Sequence, residues 1–326
     1  VASWVIFRPG HIFSSPRRSG SMYLAADMLD EGAGDLDALA FSDEMQSLGA
    51  RFRSAADRES FQLNLTVLKR NLAAASNLAV DAIQKPKFDA VDWERVKRLH
   101  LEDLKQEDDQ PTLVASKVAA RTLFGDAHMY AWPVSGTVES VTKTEMDDAK
   151  LPFLSFVRPE YAKVLIAGDV TVEEAKAALD KTLGAWKSRA LNIAKPEPPS
   201  LPESKELRVI VVDRPDAVQT VIQFLLPGVK YSDQYRVNYR LLNTLFGGSF
   251  TSRLNMNLRE NHGYTYGARS GFVMREHVGY VSASSSVRAD VTGAALKGFL
   301  GEFQRVRGGD VSGEETTKAR ETLRTD

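Results

Sequence analysis

Apolar and polar residues alternate with period two through Phe61-Gln62-Leu63-Asn64-Leu65-Thr66-Val67, which predicts a strand with one buried face. The short apolar runs Trp4-Val5-Ile6-Phe7 and Ala162–Ala167 predict two more strands in the first half of the chain. Between them the periodicity is helical near Met22–Leu29, at about Leu36–Leu48, over Leu68–Ile83 and over Trp93–Gln106. A further helix starts near Thr112. Another follows Ala167, where Thr171 and Glu174 have the spacing of a capping box.

The second half repeats this order. Leu207-Arg208-Val209-Ile210-Val211-Val212 and Thr220–Leu226 predict strands, and Gln234–Leu245 and Thr251–Arg259 predict helices. Strands at about Thr265–Met274 and Val278–Ser286 come next, then a helix from Val291 to Val306. Ser312 and Glu315 place a second capping box at the start of a last helix. Between the halves, Lys195-Pro196-Glu197-Pro198-Pro199-Ser200-Leu201-Pro202 carries four prolines, which favour extended backbone and stop a helix. The expected organisation is a domain over 1–190, a linker over 191–203 and a related domain over 204–326. By element order the second copy stops short of the first, so the chain reads as truncated at its C-terminus and as lacking one strand at its N-terminus.

Composition narrows the function classes. Charged residues nearly cancel, 42 basic against 43 acidic, which gives no electrostatic basis for binding nucleic acid or an anionic membrane. No apolar run approaches the length of a membrane span. With no cysteine, thiolate catalysis, disulfides and Cys-ligated metals are excluded. Compartment stays open, with a soluble protein of the bacterial periplasm favoured over the cytoplasm.

The candidate chemistry lies in Phe246-Gly247-Gly248-Ser249-Phe250-Thr251-Ser252-Arg253-Leu254 and Leu258-Arg259-Glu260-Asn261-His262-Gly263-Tyr264-Thr265-Tyr266-Gly267. Arg259 closes a helix and Tyr266 opens a strand, with Gly263 easing the turn between them. A guanidinium offers five fixed donors to peptide carbonyls or a carboxylate, and a phenol can donate to a developing oxyanion. From residue types alone, the simpler reading is an Arg in a surface ion pair and a Tyr capping a core. The pair Gly247-Gly248 reads first as a tight turn needing positive φ, and second as a close approach of backbone to a substrate.

Taken whole, the string Gly-Gly-Ser-x-x-Ser-Arg-Leu, then Leu-Arg-Glu, then Gly-x-x-Tyr resembles the second-domain signature of the M16 (insulinase, or pitrilysin-like) metallopeptidases. Leu29-Asp30-Glu31-Gly32-Ala33-Gly34, the Leu48-Gly49-Ala50 turn and Ile166-Ala167-Gly168-Asp169-Val170 resemble M16B subunits, so the likeness covers nearly the whole chain. It implies an α+β fold of two repeated domains, each a mostly antiparallel sheet backed by helices. It also implies that Arg259 and Tyr266, with Gly247 and Gly248, bind peptide.

The family's His-x-x-Glu-His motif is missing. Aligned on Met28-Leu29, its three positions hold Tyr23, Ala26 and Asp27, and none of His11, His100, His128, His262 and His277 can restore the pair. Glu102 lies near where the third ligand would fall, and reads as a solvated helical carboxylate. The expectation is therefore no metal in this chain and no catalysis by it alone. The resemblance implies a substrate-binding subunit that works with a zinc-bearing M16 partner in a hetero-oligomer on a peptide substrate. A homodimer, a structural scaffold and a peptide-binding module without protease remain as alternatives.

Overall fold

The computed structural model describes residues 1–8, 10–180, 183–187 and 207–325, so the proline-rich linker expected over 191–203 lies outside the described residues. The chain divides into two compact units, Val1–Glu107 with Asp126–Ser200, and Asp108–Gly125 with Leu201–Asp326.

In the first unit, strands β1 (Ala2–Phe7), β4 (Arg51–Ala56), β5 (Phe61–Thr66) and β6 (Ala162–Ala167) form one antiparallel sheet in the order β4-β5-β1-β6. Between β1 and β4 lies a two-residue ladder, β2 (Gly32–Ala33) with β3 (Leu36–Asp37). Register is set by the alternation read from sequence. Phe7 faces Phe61 and Val5 faces Leu63 across β1 and β5, all four side chains buried. A slip of one residue would move this apolar set to the solvent face.

The sheet is backed by helices α1 (Ser21–Asp27), α2 (Ala38–Ser47), α3 (Leu72–Gln84) and α4 (Ala90–Asp108). Helices α6 (Val138–Thr142), α7 (Met146–Phe156) and α8 (Val172–Asp180) belong to the same unit. Met22, Leu24 and Leu29 pack with Phe61, Trp93, Leu104 and Phe153 in one core cluster. Each such fully buried side chain contributes about 1.5–3 kcal/mol. The capping box at α8 is present as read: Thr171 N–H donates to Glu174 (2.9 Å) and Glu174 N–H to the Thr171 hydroxyl (3.2 Å). Helices α6 and α7 carry no element in the sequence reading. Pro152 inside α7 removes an N–H and hides the helical pattern.

The second unit holds a three-stranded antiparallel sheet, β7 (Gln219–Pro227), β8 (Thr265–Met274) and β9 (Gly279–Arg288), in the order β7-β9-β8. Helix α5 (Pro111–Phe124) is assigned to this unit and packs on β7, with Phe124 edge-on to Tyr280; the expectation from sequence kept it with the first domain. Its other helices are α9 (Arg236–Asn243), α10 (Arg253–Asn255), α11 (Thr292–Arg307) and α12 (Gly313–Thr325). Phe299 of α11 packs with Ile222, Phe224, Leu254, Leu258 and Val287 as the unit's core. Two antiparallel sheets backed by helices match the fold class expected.

One predicted strand is absent. Leu207–Val212 pairs with no strand among the described residues, and Val209 and Val211 are 75% and 85% exposed. Both were expected in the second sheet. A β-branched apolar run marks a segment that can lie on a pleated surface, but a strand needs a partner ladder, and here the described residues supply none.

Candidate functional site

The segment from α9 to β8 carries the site residues of the second unit. After Asn243 the helix widens into a π-helical turn, Thr244–Gly248, and a second π-helical turn, Met256–Asn261, follows α10. Such turns are uncommon and recur at functional sites. Gly247 and Gly248 lie in the first of them. Neither has positive φ, which corrects the tight-turn reading. A Cβ at Gly247 would stand 2.5 Å from both the backbone N and Oγ of Ser270 on β8. One at Gly248 would meet the Asn243 amide nitrogen at 2.6 Å. The glycine at 247 is required because helix backbone presses directly on strand backbone. The Asn243 side chain, accepting from the Ser270 hydroxyl at 2.8 Å, closes the same contact.

The second π-helical turn ends at a glycine that does need the left-handed region. Gly263 has φ +63, and its N–H donates to the Arg259 carbonyl (2.9 Å) while Tyr264 N–H donates to that of Leu258 (2.8 Å). These bonds satisfy the last carbonyls of the helix and turn the chain into β8. The pairing of β8 with β9 then shifts register between Thr265 and Ala268, a bulge that contains Tyr266 and Gly267. Hydroxyls brace it from inside: Ser285 Oγ lies 2.9 Å from both Thr265 Oγ1 and the Gly267 carbonyl, and Gly267 N–H donates to Thr265 Oγ1 at 3.1 Å. Bulges re-aim side chains. This one leaves Tyr266 91% exposed, so it does not cap a core.

Arg259 makes the surface ion pair of the simpler reading and a second contact beside it. Its Nε lies 3.3 Å from a Glu260 carboxylate oxygen, so it does make a surface ion pair, with 37% of its side chain exposed. Its guanidinium also stacks over the ring of Phe250, 4.6 Å from the centroid. Phe250, 62% exposed, received no role from sequence, nor did Asn255. The Asn255 side chain is buried and donates to the Phe250 carbonyl at 2.7 Å, while its oxygen accepts Ala268 N–H at 3.3 Å. An asparagine one helical turn before Arg259, in a helix otherwise buried there by leucines, was the available signal. A bidentate pair, Arg253 to Glu315 at 2.7 Å for both bonds, ties the same loop to α12, whose capping box with Ser312 also uses Glu315.

In the first unit, the three positions aligned with the zinc motif lie on α1. The Tyr23 ring stacks on His100 of α4 with centroids 4.5 Å apart, and the His100 Nε2 is bonded to the Ser135 carbonyl at 2.7 Å. Ala26 is buried and has no side-chain donor; its carbonyl accepts from Ser54. Burial first, then the nearby charges of Asp30, Glu31 and Asp103, push the Asp27 carboxyl up to about 7. Glu102 is half in water and pairs with Arg98 one turn away, a solvated helical carboxylate as expected. A carboxyl that resists ionisation, a stacked phenol and a methyl group do not make a zinc donor set. No group of three or more His, Asp or Glu suited to a metal occurs among the described residues. Among them, too, no helix is long and apolar enough to cross a membrane.

The model of the peptidase M16 inactive domain matches residues 147–323, and that of insulinase (peptidase family M16) matches residues 1–130. An uncharacterized zinc protease of Streptomyces coelicolor is 26% identical over 260 residues, 78% of this chain and 56% of that protein. The non-peptidase homolog YmxG of Helicobacter pylori is 25% identical over 302 residues, 91% of this chain and 68% of that one. The chain thus spans a little over half of the first relative's length and about two thirds of the second's. Among solved structures, a peptidase M16 inactive domain from Pseudomonas fluorescens superposes with TM-score 0.85 at 22% identity, covering 99% of this chain and 78% of that chain. A protease from Helicobacter pylori superposes with TM-score 0.90 at 16% identity, covering 100% and 79%. At these identities the structural likeness is one of fold.

Proposed function

The chain belongs to peptidase family M16, and we propose that within it the protein is a non-catalytic, substrate-binding subunit of an M16B-type zinc endopeptidase. Arg259 and Tyr266 would be supplied in trans to a partner that carries His-x-x-Glu-His and holds the zinc. The observation that carries this reading is Tyr266, a phenol held by a hydroxyl-braced bulge with 91% of its surface in water. A scaffold gains nothing from fixing the backbone beneath an exposed phenol, whereas a donor for a substrate needs a fixed mount and access to solvent. The residues at the zinc positions support the assignment of bond cleavage to the partner. Gly247 supports the site by letting the helix close on β8, and Gly248 by leaving room for the Asn243 side chain.

In the cycle so proposed, Arg259 bonds substrate carbonyls in the ground state and more tightly in the transition state. Tyr266 donates to the oxygen that becomes anionic as the scissile carbonyl turns tetrahedral. In a heterocomplex reconstituted with the His-x-x-Glu-His subunit, Tyr266→Phe should lower kcat by about 100-fold, one lost oxyanion donor of roughly 3 kcal/mol. Arg259→Ala should lower kcat and raise KM together. Wild-type turnover in both variants of a verified complex would make the pair structural and the protein a scaffold.

A further inference from the structure

Single exposed phenylalanines are common on protein surfaces and by themselves mean little. Phe250 differs in what fixes it. Asn255, itself buried, bonds the Phe250 carbonyl with one end of its amide and the Ala268 N–H with the other, directly after the bulge that carries Tyr266. Asn255 also lies one helical turn before Arg259, whose guanidinium rests on the Phe250 ring. One buried amide therefore ties together the backbone that presents Phe250, Arg259 and Tyr266.

The stack has a direct consequence for a ligand. A guanidinium centred over an aromatic face is held in place by the ring's negative face while its N–H groups remain donors for a carbonyl. The remaining ring surface, in water, lies beside whatever that carbonyl belongs to. Glu260, paired with Arg259 Nε, puts a negative charge next to the same place.

We infer that Phe250 is a specificity-determining residue: it holds Arg259 in its bonding orientation and receives an aromatic or large aliphatic side chain of an extended peptide, with acidic side chains disfavoured by Glu260. The inference rests on the peptide-binding reading above and adds the class of side chain that the site selects.

The test is fluorescence anisotropy of the full chain with labelled, unstructured peptides that differ at one central position, Phe, Leu, Ala or Asp. Stacking and apolar contact on one ring face predict binding of the Phe and Leu peptides about five- to tenfold tighter than the Ala peptide, and the Asp peptide weakest. Phe250→Ala should flatten the Phe-to-Ala ratio to less than about twofold, and Phe250→Tyr should keep it. Because Phe250 is exposed, its alanine variant should melt with the wild type, so a change in ratio is not unfolding. Arg259→Ala should weaken all four peptides by a similar factor. If Phe250→Ala retains the ranking while Arg259→Ala weakens binding, the platform role is overturned and the peptide-binding reading stands. If no peptide binds the wild-type chain, both fall together.

Discussion

Replacing Asp27 by Asn should stabilise the protein at pH 8, although the residue stands where the family places a metal ligand. The Asp27 carboxyl is raised from 3.8 to about 7, chiefly by burial and then by Asp30, Glu31 and Asp103. In the unfolded chain the same group ionises near its ordinary value. Between these two pH values the folded state holds a proton that the unfolded state has lost, so stability falls as pH rises through this window. Below pH 4 the proton is bound in both states and the group costs nothing; above pH 7 the cost is complete. The full linkage for such a shift is about 4 kcal/mol, and access of water to a side chain that is only half-buried reduces this to roughly 2 kcal/mol. Asn has the same shape and no charge to desolvate. Asp27→Asn should therefore raise Tm by about 4–8 °C at pH 8 in a unit of this size, and by nothing measurable near pH 4. Differential scanning calorimetry across that range is the assay. A variant destabilised at pH 8, or an increment that does not change with pH, would show that the carboxylate is held by favourable contacts and refute the argument. Rescue of the wild type at pH 8 by stoichiometric zinc would refute it from the other side.

Glu315 predicts the opposite sign. Its carboxyl is pulled down to about 2, first by the Arg253 guanidinium and helped by Ser312, so its contribution is present above about pH 4.5 and lost as pH falls toward 2. Glu315→Gln strands a guanidinium only 8% exposed, but 36% of the carboxylate side chain is in water, so the expected loss at pH 7 is about 1–2 kcal/mol, shrinking below pH 4.5 in acid-titrated melts. A loss independent of pH would assign it to packing. Gly247→Ala inserts a methyl 2.5 Å from Ser270 backbone and should cost about 1–3 kcal/mol; an unchanged urea midpoint would mean that the π-helical turn can retreat from β8.

Much of the molecule was legible because its signals are local. The alternation over Phe61–Val67 and the caps at Thr171 and Ser312 depend on residues a few positions apart, and each appears where the pattern put it. The loss of the zinc motif was equally plain, since no fold can turn Tyr23 into an imidazole or Ala26 into a catalytic carboxylate. Gly263 was read correctly for the same reason: a turn that needs positive φ declares itself by glycine. Leu207–Val212 was misread because a strand is a property of two segments, and a β-branched apolar run describes only one of them. The glycines at 247 and 248 were misread because close approach and positive φ leave the same residue in the sequence. That Arg259 lies over an aromatic ring as well as beside Glu260, and that Tyr266 points outward, turned on a bulge braced by Ser285 and on a ring nine positions upstream of the arginine. Those contacts join residues by tertiary geometry, through a buried amide at Asn255 whose two partners, the Phe250 carbonyl and the Ala268 N–H, lie outside its own helix, so only the folded chain could decide them.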